Sequence, residues 1–167
     1  GMHIPGEYGG YPRPLLDRLI IIEELTTVGK SPVCTVLMEV TGLGTAAVVN
    51  SASEGLRRQY LPPVARGETL GCFALTEPGT GSDASQIHTR AQRDGDEYII
   101  SGRKRYISYA HQSSFTVLFA TTDPTKGQKG ISAFLVPTDI LGFRILEHVE
   151  CLGLRGHQDE ELEFKDC

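Results

Sequence analysis

At 167 residues, 40% apolar and 22% charged, the chain is of globular composition and long enough to bury a core of its own. A formal net charge of -5 leaves no basic face that would make nucleic acid a partner. No apolar run approaches the roughly 18 uncharged residues of a membrane-spanning helix, and no charged head followed by a greasy stretch opens the chain, so no membrane partner and a cytoplasmic location are expected. Gly1 ahead of Met2 reads as the scar of a removed tag, with Met2 as the encoded start.

Between Pro12 and Leu61 the apolar residues fall at helical spacing: Leu15, Leu16, Leu19 and Ile20 to Leu25, then Val33, Val36, Leu37 and Val40, then a shorter segment around Leu56 and Tyr60. Three helices are predicted, broken at Gly29 to Pro32 and at Pro62-Pro63, where proline lacks its amide donor and restricts the preceding residue. Two short patterns in this half mislead. "VGKS" at Val28 to Ser31 resembles the end of a phosphate-binding loop, but Glu24 stands where the leading glycine is needed and a helix precedes it. "GLGTAA" at Gly42 to Ala47 matches a dinucleotide-binding spacing, but it opens no strand-loop-helix unit and reads better as a close helix crossing at Gly42 and Gly44.

From Leu70 onward the period shortens. The runs "GCFALTE", "HTRAQRD", "EYIISGRK", "SFTVLFATT", "GISAFLVPT", "FRILEHV" and "ELEFKD" are strand length, rich in β-branched or aromatic residues, and separated by Gly, Pro, Asp or Lys-Gly clusters. An antiparallel barrel or sandwich is predicted, with a tight hairpin at Asp94-Gly95. The chain therefore divides near residue 68 into a helical part, 1–68, and a β part, 69–167, an α+β organisation.

Cys34, Cys72, Cys151 and Cys167 lie far apart with no paired spacing, and His3, His88, His111, His148 and His157 are scattered, so no metal site is expected. No serine elbow is present to support a hydrolase. The most informative stretch is "LTEPGTGSD", where an apolar strand ends at Thr76 and runs into glycines and hydroxyls. Its backbone N–H groups and hydroxyls can converge on an anion such as a pyrophosphate, or it can be an ordinary turn centred on Pro78-Gly79.

Several stretches together resemble the acyl-CoA dehydrogenases, flavoenzymes that introduce an α,β double bond into a thioester. "IPGEYGG", "RRQYLPPVARGE", "FALTEPGTGSD", "DGDEYIISGRKRYIS", "GISAFLVPTDILGF" and "CLGLRGHQDEELEFKD" are similar to family motifs in the same order, over essentially the whole chain. The resemblance implies a short helical segment followed by the family's antiparallel middle β-barrel, and FAD as cofactor. It places Phe73, Leu75, Thr76, Gly81 and Ser82 on the flavin and its phosphates, with Ser82 also near the acyl-CoA thioester. It places Tyr106, Ile107 and Ser108 where the family has Trp-Ile-Thr, an aromatic against the flavin ring and a hydroxyl toward flavin N5. Tyrosine and serine keep the aromatic face and the donor hydroxyl; a barrel aromatic and a strand-end hydroxyl are the plainer alternatives.

The family's subunits continue into a C-terminal four-helix domain that carries the catalytic glutamate in most members, and this chain is expected to lack it. No glutamate here inherits that role: Glu77 belongs to the loop, and Glu160, Glu161 and Glu163 read as charges on or beside the last strand. The expectation is an acyl-CoA dehydrogenase fragment, inactive alone, whose uncovered faces favour a homo-oligomer or a complementary subunit. An electron-transfer flavoprotein is the acceptor in most of the family. The alternatives are a non-catalytic acyl-thioester-binding or assembly module, and a flavin oxidase or monooxygenase relative.

Overall fold

The computed structural model describes residues 1–28 and 42–167. The second predicted helix, at Val33 to Val40, the break at Gly29 to Pro32, and Cys34 lie outside those residues. The helices that are described are α1 (Leu15–Val28), α2 (Gly44–Ser51) and α3 (Glu54–Ala65). The strands are β1 (Leu70–Ala74), β2 (Arg90–Asp94), β3 (Glu97–Ser108), β4 (Ser113–Thr121), β5 (Ile131–Pro137), β6 (Phe143–Val149) and β7 (Asp159–Phe164).

Helix α3 begins at Ser53, whose hydroxyl accepts the Leu56 N–H at 3.5 Å. It does not stop at Pro62-Pro63, as the sequence suggests, but continues to Ala65. Proline's fixed φ is itself helical, so near a helix end the missing donors cost only local bonds. The Pro62 and Pro63 carbonyls then accept the N–H groups of Arg66 and Glu68 at 3.1 and 2.9 Å, and Gly67, at φ 73°, closes the end. The "GLGTAA" glycine also acts differently from expectation. A Cβ on Gly44 would lie 1.5 Å from the Gly71 carbonyl oxygen, so the close approach is helix α2 on strand β1 and not helix on helix.

The seven strands form one curled sheet in the order β1-β4-β2-β3-β7-β6, with β5 on the remaining edge of β4. The α+β class holds, but the pairing is not wholly antiparallel as predicted. β1 runs parallel to β4, and Arg90 of β2 makes a single parallel pairing with Thr121 further along. The two strands thus share one edge of β4 end to end, which turns the sheet back on itself. In the β2–β3 hairpin Asp94 pairs with Glu97, and among the turn residues the positive φ falls on Gly95 rather than on Asp94.

β4 separates two cores because its side chains alternate. Phe115 and Val117 face Ile4, Tyr8, Val48, Leu61 and Val64 of the helical layer, with the Tyr60 ring edge-on to Phe115 at 5.0 Å. Leu118 and Ala120 face Ile100, Ile107, Val136, Leu162 and Phe164 inside the curl. Each large side chain taken fully out of water contributes about 1.5–3 kcal/mol. The two cores clamp the C-terminal ends of β1 and β3, where the site residues lie.

Candidate functional site

The segment after β1 is both a turn and a held platform. Glu77 and Thr80 exchange backbone hydrogen bonds at 3.0 and 3.1 Å, leaving Pro78-Gly79 at the tip. Behind the turn, the Glu77 carboxylate accepts the N–H groups of His88 and Thr89 at 2.6 and 2.9 Å and the Lys104 ammonium at 2.9 Å. Lys104 is fully buried and donates also to the Leu75 carbonyl at 2.9 Å. Burial pushes the Glu77 carboxyl up, but the hydrogen bonds from Thr89, His88 and Lys104 outweigh it and hold the group below the usual carboxylate range. Burial likewise pulls the Lys104 ammonium below its ordinary value, and the Glu77 contact offsets only part of that. The loop is pinned to the barrel by a charge pair, a structural use of Glu77.

Strand β3 carries one extra residue between Lys104 and Ile107 relative to β7. Such a bulge re-aims side chains. Lys104 turns inward to Glu77, while Tyr106, at φ 60° and 55% exposed, turns outward. The Arg105 N–H donates to the Thr76 carbonyl at 2.9 Å, joining the bulge to the end of β1. Its guanidinium is held by Glu147 and Glu161 at 3.2 and 2.9 Å.

These constraints open a cleft of about 380 Å³ in which Phe73, Leu75, Thr76, Tyr106, Ile107 and Ser108 meet, together with Leu43, Cys72 and Asp159. Gly81 and Ser82, singled out with them from the sequence, do not line it; both are exposed on the loop beyond the turn.

Sequence reasoning missed Asp159. It pairs with Ser108 across the β3–β7 ladder and is 8% exposed. The Ser108 hydroxyl donates to its Oδ1 at 2.8 Å, His157 Nε2 lies 2.9 Å from the same oxygen, and the Cys151 thiol donates to Oδ2 at 3.3 Å. Cys151, His157 and Asp159 therefore converge, their polar atoms within 4.8 Å of one another, where the sequence suggested scatter. Glu160 and Glu161 lie on the last strand, as the sequence suggests, and both are buried. Glu160 accepts the Ala110 N–H at 2.6 Å and is contacted by His111 and His148. No spacing rule brings a carboxylate on one strand to a serine on another; the only signal was a run of acids following a histidine.

Among the described residues no helix is long and apolar enough to cross a membrane. A helical layer on a curled sheet, with a hydroxyl- and aromatic-lined cleft where two strands end, defines an α+β protein with a cleft at the sheet's edge. Residues 1–68 match the family model for the N-terminal domain of acyl-CoA dehydrogenases, and residues 72–167 match the model for the middle domain. The chain belongs to the acyl-CoA dehydrogenase family. It is 39% identical over 166 residues to a Mycobacterium leprae protein named "Probable acyl-CoA dehydrogenase fadE25", covering 99% of this chain and 42% of that one. It is 38% identical to the short-chain specific acyl-CoA dehydrogenase of Clostridium acetobutylicum, covering 99% of this chain and 44% of the relative. The solved acyl-CoA dehydrogenase of Bacillus anthracis, complexed with FAD, superposes with a TM-score of 0.88 at 27% identity, covering 99% of this chain and 28% of that chain. The chain thus spans less than half the length of these relatives.

Proposed function

We propose that the cleft between the end of β1 and the bulge of β3 holds the flavin ring of FAD, in a polypeptide that carries the flavin-binding part of an acyl-CoA α,β-dehydrogenase. The observation that carries this reading is the convergence of Phe73, Leu75, Thr76, Tyr106, Ile107 and Ser108, remote in sequence, on one cleft. The donor set fits a planar heteroaromatic ring. Leu75 and Phe73 supply apolar walls, Tyr106 an aromatic ring held out by the bulge with the Arg105 guanidinium 5.4 Å from its centroid, and Thr76 and Ser108 hydroxyls for ring heteroatoms. Gly81 and Ser82, exposed beyond the turn, are assigned to the pyrophosphate, and Ser82 also to the CoA thioester.

Bound there, FAD supplies a hydride acceptor for the substrate β-carbon. The chain's own groups bind and orient. The Glu77–Lys104 pair fixes the Leu75 carbonyl and the loop, and the Arg105 N–H holds Thr76 beside Tyr106. No residue of this chain is assigned as the base for the α-proton. Glu77 and Glu160 are buried on other donors, and both oxygens of Asp159 are occupied. A base must reach the proton it takes, so the carboxylate is assigned to polypeptide beyond this chain or to a partner subunit. An acyl-CoA substrate and an electron-transfer flavoprotein belong to that complete assembly.

The test is to incubate the purified chain with FAD, remove free cofactor on a desalting column and record the visible spectrum. Retained flavin with a resolved, shifted band is expected, and Tyr106→Ala should weaken retention. A folded, colourless protein overturns the reading.

A further inference from the structure

Ser108 is the cleft hydroxyl placed to meet the flavin, yet its hydrogen is already engaged. A hydroxyl carries one hydrogen and two lone pairs, and an ionised carboxylate only accepts. In the 2.8 Å contact Ser108 gives that hydrogen to Asp159 Oδ1. The acceptor is built into the fold. Asp159 is buried, is the cross-strand partner of Ser108, and is held by His157, whose side chain is 3% exposed, and by Cys151. The chain then turns at Tyr109, at φ 56°, whose N–H donates to the Gln158 carbonyl at 2.9 Å and whose ring meets His157 edge-on at 5.3 Å. These contacts lock the ends of β3 and β7 together and fix the serine–carboxylate geometry.

We propose that Asp159 is a positioning residue that withholds the Ser108 hydrogen from the cleft, so that oxidised flavin, whose N5 is an acceptor, binds only by competing with this carboxylate for one proton. The inference rests on the flavin reading above. Carboxylate acceptors make stronger hydrogen bonds than neutral ones, so the competition weakens binding of oxidised FAD in the native chain. Asp159 acts through Ser108, not by touching the substrate.

The test is a double-mutant cycle on the dissociation constant of oxidised FAD, read by flavin fluorescence with the purified chain. Asp159→Ala is expected to tighten binding by about three- to tenfold, the worth of one neutral hydrogen bond. Adding Ser108→Ala to Asp159→Ala should abolish that gain, because the released hydroxyl is then missing. Asp159→Asn, which keeps the volume and removes the charge, should move binding in the same direction by less, and it serves if the alanine variant does not fold. A purely structural role for Asp159 loosens binding in every background, and that result, or additive effects, overturns the inference while leaving the flavin site intact. If wild type and variants all fold and none retains flavin, the site reading itself fails and the inference with it.

Discussion

Replacing Glu77 with glutamine exchanges one carboxylate oxygen for an amide nitrogen and removes the negative charge paired with the buried Lys104 ammonium. Breaking a buried pair in this way costs about 3–5 kcal/mol. The urea midpoint should fall accordingly, and Glu77→Gln/Lys104→Met should recover most of the loss because no charge then remains buried. The same carboxyl makes stability depend on pH. Its folded value lies below the ordinary range, so its contribution is complete above that range and is lost as pH falls through the depressed value. Tyr106 poses the opposite case: a bulky residue at φ 60° carries strain of about 1–3 kcal/mol. Tyr106→Gly should raise the thermal midpoint while weakening flavin retention, separating stability from binding at one position. Most of this site was legible beforehand because its residues sit in contiguous motifs. Asp159 was not, because its role arises from a cross-strand register, and neither was the buried pairing of Glu77, because a glutamate beside a glycine-rich turn looks the same in sequence whether it faces water or lysine.

Helix α2 lies on β1 through Gly44 and Gly71, with no room for a methyl group between them. Gly44→Ala should therefore cost about 1–3 kcal/mol through overpacking and lower the thermal midpoint by several degrees, whereas Gly55→Ala, where a Cβ meets nothing within 4 Å, should not destabilise the chain. All seven strand runs were readable from the sequence, since each shows strand composition and ends at a turn residue. Which strands would be neighbours was not readable. The parallel contact of β1 with β4 depends on one edge being shared by two strands, and a run of alternating residues says nothing about its edges. Pro62-Pro63 misled for a related reason: a proline rule describes the loss of donors, while the outcome depends on whether nearby carbonyls find others.

For the molecule as a whole, the apolar residues of α1 include no buried one, and Leu16 is 68% exposed. A chain that spans less than half of its relatives' length and leaves such a face open is expected to associate. Size-exclusion chromatography should show a species larger than one chain, and replacing Leu15, Leu16 and Leu19 together with lysine should return it to a monomer with unchanged helix content. A monomeric wild type overturns this expectation. The doubly flanked strand β4 has a different consequence, one of time. Gly71 of β1 and its β4 partner Phe115 are far apart in sequence, so the β1–β4 contact demands a long closure before it repays anything, while the β4–β5 hairpin is local. Assembly should begin with that hairpin and finish when β1 arrives, and because the cleft begins where β1 ends, the site is among the last parts of the molecule to exist during folding.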